Sequence, residues 1–136
     1  MEQSSELRNL MLRFYEALSS GDLSFFDRHF SNSDAVRGIG TDPEEWWNGP
    51  RVAQVWKEQV AAMGGSMPLQ PGEPEAYAEG NVGWVADRPT LDAGDGNRVA
   101  IRFTAVFHKE DADWKLVQSH GSLGVSNEES FGELPT

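Results

Sequence analysis

Three residues able to move a proton or hold an anion crowd into two neighbouring runs near the end of the chain. Arg102 opens the run Arg102-Phe-Thr-Ala-Val-Phe-His108, and His120 and Ser122 close the run Trp114-Lys-Leu-Val-Gln-Ser-His-Gly-Ser122. An imidazole can give or take a proton near neutrality, or bond a ligand without reacting. A guanidinium can grip a carboxylate through two parallel hydrogen bonds. Upstream, Asp87 supplies a carboxylate two residues before Pro89, and Asp42 another in a Thr-Asp-Pro turn. These residue types suit general acid-base chemistry, with His120 or Asp87 as the base. They also suit plain recognition of a small ligand. The bland alternatives are a hydrogen-bonded core histidine, an ion pair of Arg102 with Asp87, Asp42 or Glu45, and carboxylates that complement a helix N-terminus.

The elements that must position these groups follow from periodicity. Leu7, Leu10, Met11, Phe14 and Leu18 form one face of a helix over Ser5–Ser20, capped by Ser4 or Ser5 and ended by Gly21. Asp22 starts a second, short helix to about Phe30, with Leu23, Phe26 and Phe30 inward. Ala35–Ile39 reads as a short strand, followed by a turn and the compact segment Glu44–Gly49. A third helix runs from Pro50 to about Met63, with Val52, Val55, Trp56, Val60 and Met63 as its apolar stripe. Beyond Gly64-Gly65 the pattern turns to strands: an interrupted one over 67–79, then Val82–Leu91, Arg98–His108 and Trp114–Val125. Helices first and strands afterwards predict an α+β domain spanning 1–136, ordered over about 4–126 with a tail at 127–136.

Alternation assigns faces to the last two strands. Val99, Ile101, Phe103, Ala105 and Phe107 share one face of the first, opposite Arg102, Thr104 and His108. In the second, Trp114, Leu116, Gln118, His120 and Ser122 fall on one face, and Lys115, Val117, Ser119, Gly121 and Leu123 on the other. Both faces are partly apolar, so both should be covered, one by helices and one by a second copy of the chain. A homodimer through the sheet is expected. Trp46 and Trp47 are adjacent and cannot point the same way; one should roof a cavity mouth, with Trp84 as a wall.

Composition narrows the function classes. A net charge of -11, with 11 scattered Lys and Arg, argues against nucleic acid. No apolar run reaches the length of a membrane span, and the first residues lack the pattern of a secretory leader. Cysteine is absent, which removes thiolate chemistry and fits a cytoplasmic location. His29, His108 and His120 lack metal-ligand spacing, and no phosphate-binding glycine loop or nucleophile elbow occurs. Neither metal nor cofactor is expected.

The order of motifs resembles a known family. Phe14-Tyr-Glu-Ala-Leu-Ser-Ser-Gly-Asp-Leu23, Ile39-Gly-Thr-Asp-Pro-Glu-Glu-Trp-Trp-Asn-Gly49, Gly83-Trp-Val-Ala-Asp87 and the two runs above look like the SnoaL-like branch of the nuclear-transport-factor-2-like superfamily. The resemblance implies three N-terminal helices over a strongly curved antiparallel sheet, forming a cone with a pocket inside. Within that cone Arg102, His120, Ser122 and Asp42 would supply polar contacts to a small, partly apolar ligand, with Trp46 and Trp84 as walls. The superfamily includes cofactor-independent isomerases, cyclases and dehydratases. Set beside the ketosteroid isomerases, their helical tyrosine falls at Phe14 and their general-base aspartate near Gly38, so that mechanism would need Tyr15 and Asp42 as shifted substitutes. The association domain of calcium/calmodulin-dependent kinase has a similar histidine-and-serine ending to its last strand, so a dimerisation module with a vestigial pocket is a third reading.

Overall fold

Helix α1, Ser5–Ser20, forms where its apolar stripe ends in matched caps. In the computed structural model, which describes residues 1–136, the Ser4 hydroxyl accepts the Leu7 amide at 3.1 Å. At the other end Gly21 takes φ +74° and donates to the Ala17 carbonyl. A side chain there would also collide with the Gly65 carbonyl, so Gly21 is required by a close approach as well as by its backbone angle. All five stripe residues are buried, joined by Tyr15 and Ala17.

Helix α2, Ser24–His29, is shorter than the sequence suggests, with Asp22 Oδ1 accepting its first amide. Its inward residues are Phe25 and Phe26, while Leu23 lies largely outside. Helix α3 covers Arg51–Ala62, and a single turn, α4, covers Asn127–Ser130.

The strands number ten rather than the few expected. In chain order they are β1 (Glu2–Gln3), β2 (Arg37–Ile39), β3 (Trp46–Asn48), β4 (Leu69–Gln70), β5 (Glu75–Glu79), β6 (Val82–Asp87), β7 (Thr90–Asp92), β8 (Arg98–Ala100), β9 (Arg102–Glu110) and β10 (Asp113–Ser122). Seven form one sheet in the order β1-β5-β6-β9-β10-β2-β3, antiparallel except where β2 runs parallel to β10. The other three form a small sheet, β4-β7-β8.

Two predicted strands are each broken where they pass from one sheet to the other. Pro89 has no amide to donate and ends β6. Opposite it, the Ile101 amide donates to the Pro89 carbonyl at 3.0 Å, between β8 and β9. Both strands therefore break at the same level, and the small sheet starts from that break. The last strand also stops at Ser122, three residues earlier than alternation suggests.

Phe14 sits at the centre of the core. Its ring lies 5.3 to 6.0 Å from those of Phe25, Phe26, Phe30, Trp56 and Phe103, so α1, α2, α3 and β9 meet on one aromatic cluster. Burying each such ring contributes about 1.5–3 kcal/mol. This cluster fixes α3 against the inner face of the sheet, and the space left beside it becomes the cavity.

Candidate functional site

A cavity of about 330 Å³ opens between α3, the β2–β3 hairpin, the small sheet and the inner face of β9 and β10. Ten of its 17 lining residues are hydrophobic, an apolar enclosure of the size that takes a small organic molecule. Trp56 lines it from α3 and Met63 from the residue that caps that helix, Trp47 from β3, Leu91 from the small sheet, Ile101 from the link before β9 and Phe103 from β9 itself.

The polar groups that reach this cavity are Thr41, Glu45, Gln59 and Ser119. Glu45 and Trp47 are two apart along β3 and its approach, so both reach the same side. Gln59 follows Trp56 by three positions on α3 and precedes Met63 by four, which aligns the three on one helical face. Gln59 Nε2 donates to Glu45 Oε2 at 2.9 Å, and the Asp42 amide donates to Glu45 Oε1 at 2.9 Å. The β3 approach is thereby tied to α3. Gly40 lies against this carboxylate, and a Cβ there would come within 2.6 Å of Glu45 Oε1.

Most residues singled out in the sequence lie elsewhere. Arg102, His120 and Ser122 do share a face, as expected, but it is the outer face of the sheet. Arg102 is outward by the unbroken alternation of β9, opposite buried Phe103, Ala105 and Phe107. His120 and Ser122 are turned outward by a β-bulge in β10: Leu116 pairs with Phe107, yet Gln118 pairs with Val106, leaving Val117 as an extra residue. Alternation inverts there. Trp114 and Leu116 point inward before the bulge, and Ser119 and Gly121 point inward after it. On the outside, Arg102 Nε donates to Ser122 Oγ at 3.2 Å, and Nη2 reaches the Leu123 carbonyl at 3.5 Å. The expected ion pair of Arg102 does not form.

The tryptophans divide as adjacency demands, with the roles exchanged. Trp47 lines the cavity, whereas Trp46 is 63% exposed. Trp84 stands on the outer face, its ring 5.0 Å from that of Tyr77. Asp42 is an exposed turn residue whose Oδ1 accepts the Glu44 amide at 3.0 Å.

Asp87 is buried, but it does not line the cavity. Its Oδ2 accepts the Tyr15 hydroxyl at 2.8 Å and the Gly72 amide at 3.1 Å, while Oδ1 has no partner. Burial, the Asp87 charge and this hydrogen bond, in that order, push the Tyr15 hydroxyl well above its ordinary pKa. The pair joins α1 to β6 and to the loop before β5. Phe14 and Gly38, where the isomerase tyrosine and aspartate would fall, are filled by packing: Phe14 by its aromatic neighbours, and Gly38 by Val52, whose Cγ1 would lie 3.0 Å from an added Cβ.

A wider hollow of about 870 Å³ lies between Arg102 and residues 125–136. Only two of its ten lining residues are hydrophobic and all of the tail but Asn127 is exposed, so it encloses little. The smaller cavity has the walls a ligand needs.

Trp47, Trp56, Glu45, Gln59 and Ser119 are the lining residues that the sequence did not bring together. A polar Gln59 within an apolar helical stripe, and the i, i+2 relation of Glu45 to Trp47, were visible signals. Ser119 was hidden by the bulge.

Comparison with known proteins bears on the same geometry. Residues 7–126 match the family model for a SnoaL-like domain. No curated protein matches the chain in sequence. Among solved structures, the chain is similar to an NTF2-like protein of unknown function from Pseudomonas putida, at 15% identity and TM-score 0.79, covering 99% of each chain. It is also similar to a provisionally named calcium/calmodulin-dependent protein kinase type II association domain from Thiobacillus denitrificans, at 24% identity and TM-score 0.70, covering 85% of this chain and 93% of that one. A third is a provisionally named dehydratase of the NTF2-like family from Streptomyces avermitilis, at 16% identity and TM-score 0.73, covering 89% and 95%. At these identities the likeness establishes the fold, which is NTF2-like.

Proposed function

Since the chain belongs to the SnoaL-like domain family, whose fold leaves a space between helices and sheet, we propose that it binds a small, largely apolar ligand in the cavity beside α3. The observation that carries this reading is a cavity of about 330 Å³ with mostly apolar walls and a hydrogen-bonded polar pair, Glu45 and Gln59, with Ser119 also in its lining. Apolar walls supply affinity through area removed from water, and the polar pair sets orientation. Binding is preferred to acid-base catalysis because His120 stands on the outer face and Asp87, although buried, is held by Tyr15 and Gly72 outside the cavity lining. A dimerisation module with a vestigial pocket does not account for a hydrogen-bonded polar pair inside apolar walls.

The experiment is a ligand-observed NMR screen of neutral one- and two-ring probes against the wild type and Gly121→Leu. A Cβ at Gly121 would sit 3.7 Å from Phe103 and 3.9 Å from Ile101, ordinary contacts, so the strand accepts a side chain that then occupies the cavity. Saturable binding to the wild type and its loss in a folded Gly121→Leu protein are expected. Equal binding by both proteins would place the probes elsewhere and defeat the reading.

We propose that the chain forms a homodimer through the outer face of the large sheet. Support comes from a face that leaves Thr104, His120 and Arg102 exposed, with half-buried Trp84 and Tyr77 beside them and exposed Leu123 at its edge. No helix of the chain is long and apolar enough to cross a membrane. A cytoplasmic location is our reading, supported by the absence of cysteine.

A further inference from the structure

Resting on that cavity reading, the geometry points to an organic cation, a protonated amine carried on an apolar body, as the class of ligand. Glu45 is the one formally charged residue among the cavity's lining, and it is a carboxylate. No arginine, lysine or histidine lines the space, and none lies within salt-bridge reach of Glu45. Arg102, the cation first expected there, is held outside by Ser122 and Leu123. The negative charge of Glu45 is therefore uncompensated by the protein.

That carboxylate is oriented and has capacity to spare. Its two oxygens accept one protein donor each, from the Asp42 amide and Gln59 Nε2, whereas a carboxylate offers about four lone-pair sites. Gln59 spends an N–H on Glu45, so its side-chain carbonyl remains an acceptor. The Ser119 and Thr41 hydroxyls can accept as well. An ammonium group has three donors and no acceptor, which matches a lining with these acceptors. The aromatic walls add to the match, because the faces of Trp47 and Trp56 attract cations.

An anion meets the opposite conditions. It would sit beside a like charge among apolar walls, where repulsion is poorly screened, in a chain whose net charge is already -11. A neutral alcohol falls between, donating one hydrogen bond to Glu45 without the charge.

The test uses three probes of one shape: 1-naphthylmethylammonium, 1-naphthalenemethanol and 1-naphthoate, titrated by calorimetry at neutral pH into the wild type and Glu45→Gln. In the wild type the ammonium is expected to bind about tenfold or more tighter than the alcohol, and the carboxylate weakest. In Glu45→Gln the ammonium should lose about that factor and the alcohol clearly less, since an amide oxygen still accepts its hydroxyl, and retained alcohol binding also shows that the cavity is intact. If Glu45→Gln does not fold, the order of the three probes on the wild type decides alone. Alcohol binding with no preference for the ammonium overturns the cation class and leaves the cavity reading standing. Failure of all three to bind the wild type removes both.

Discussion

Replacing Tyr15 with Phe deletes one hydroxyl and leaves Asp87 with a single donor. The Tyr15 hydroxyl donates to Asp87 Oδ2 at 2.8 Å, and both residues are buried, at 2% and 8% exposure. Only the Gly72 amide, at 3.1 Å, would remain on a carboxylate whose other oxygen already lacks a partner. Loss of a hydrogen bond to a charged group costs about 1.5–3 kcal/mol, and removal of a lone hydroxyl adds almost no cavity. Unfolding entropy of about 2.1 cal/mol/K per residue gives about 290 cal/mol/K for 136 residues, so a loss of about 2 kcal/mol lowers Tm by about 7 °C. Urea and thermal unfolding at neutral pH measure it. The alkaline limb supplies a second readout. Tyr15 in the unfolded chain ionises near its ordinary pKa of 10.0, whereas the folded protein holds the proton to higher pH. Above pH 10 the folded state binds more protons, so this contribution is complete below pH 10 and declines as pH rises. The wild type should lose stability there more steeply than Tyr15→Phe, by up to about 1.4 kcal/mol per pH unit. Equal Tm values with equal alkaline slopes would refute the buried clamp and return Asp87 to the list of reactive candidates.

His120→Ala should leave probe binding unchanged, because the ring stands on the outer face of the sheet and does not line the cavity. Lost binding in the same NMR screen would contradict that placement. Gly83→Ala should cost about 1–3 kcal/mol in urea unfolding, since the added Cβ would collide with Leu7 Cδ1 and lie 2.9 Å from the Tyr77 carbonyl. The proposed homodimer predicts a light-scattering mass of two chains for the wild type and of one for a folded Trp84→Glu; a wild-type mass of one chain would refute the dimer, and an unchanged dimer in the variant would move the interface off this face.

The outline of the fold was legible because its helices declare themselves locally. The stripe from Leu7 to Leu18, Ser4 before it and Gly21 after it involve neighbours within a few turns, and all behave as periodicity and capping require. Periodicity also placed Phe14, Phe26 and Phe30 inward, whereas buried Tyr15 and Phe25 fell outside the expected stripes and Leu23, expected inward, is exposed. The long strands were placed, but their interruptions were not. Pro89 was visible as a residue without an amide, yet the break opposite it at Ile101 depends on a hydrogen bond across two strands.

The candidate site was less legible for the same reason. The residue types able to do chemistry, the acidic balance and the absence of cysteine belong to the sequence alone. Tertiary pairing decided which of them face the cavity. Arg102, His120 and Ser122 do share one face, but it is the outer one: β9 alternation already sets Arg102 opposite Phe103, Ala105 and Phe107, and His120 and Ser122 join it because Val117 is unpaired against β9. A bulge is a property of register between two strands, and neither strand's own alternation reveals it. One extra residue moved His120 outward and brought Ser119 in. Glu45 and Gln59, 14 positions apart, met only when the aromatic cluster docked α3 beside β3.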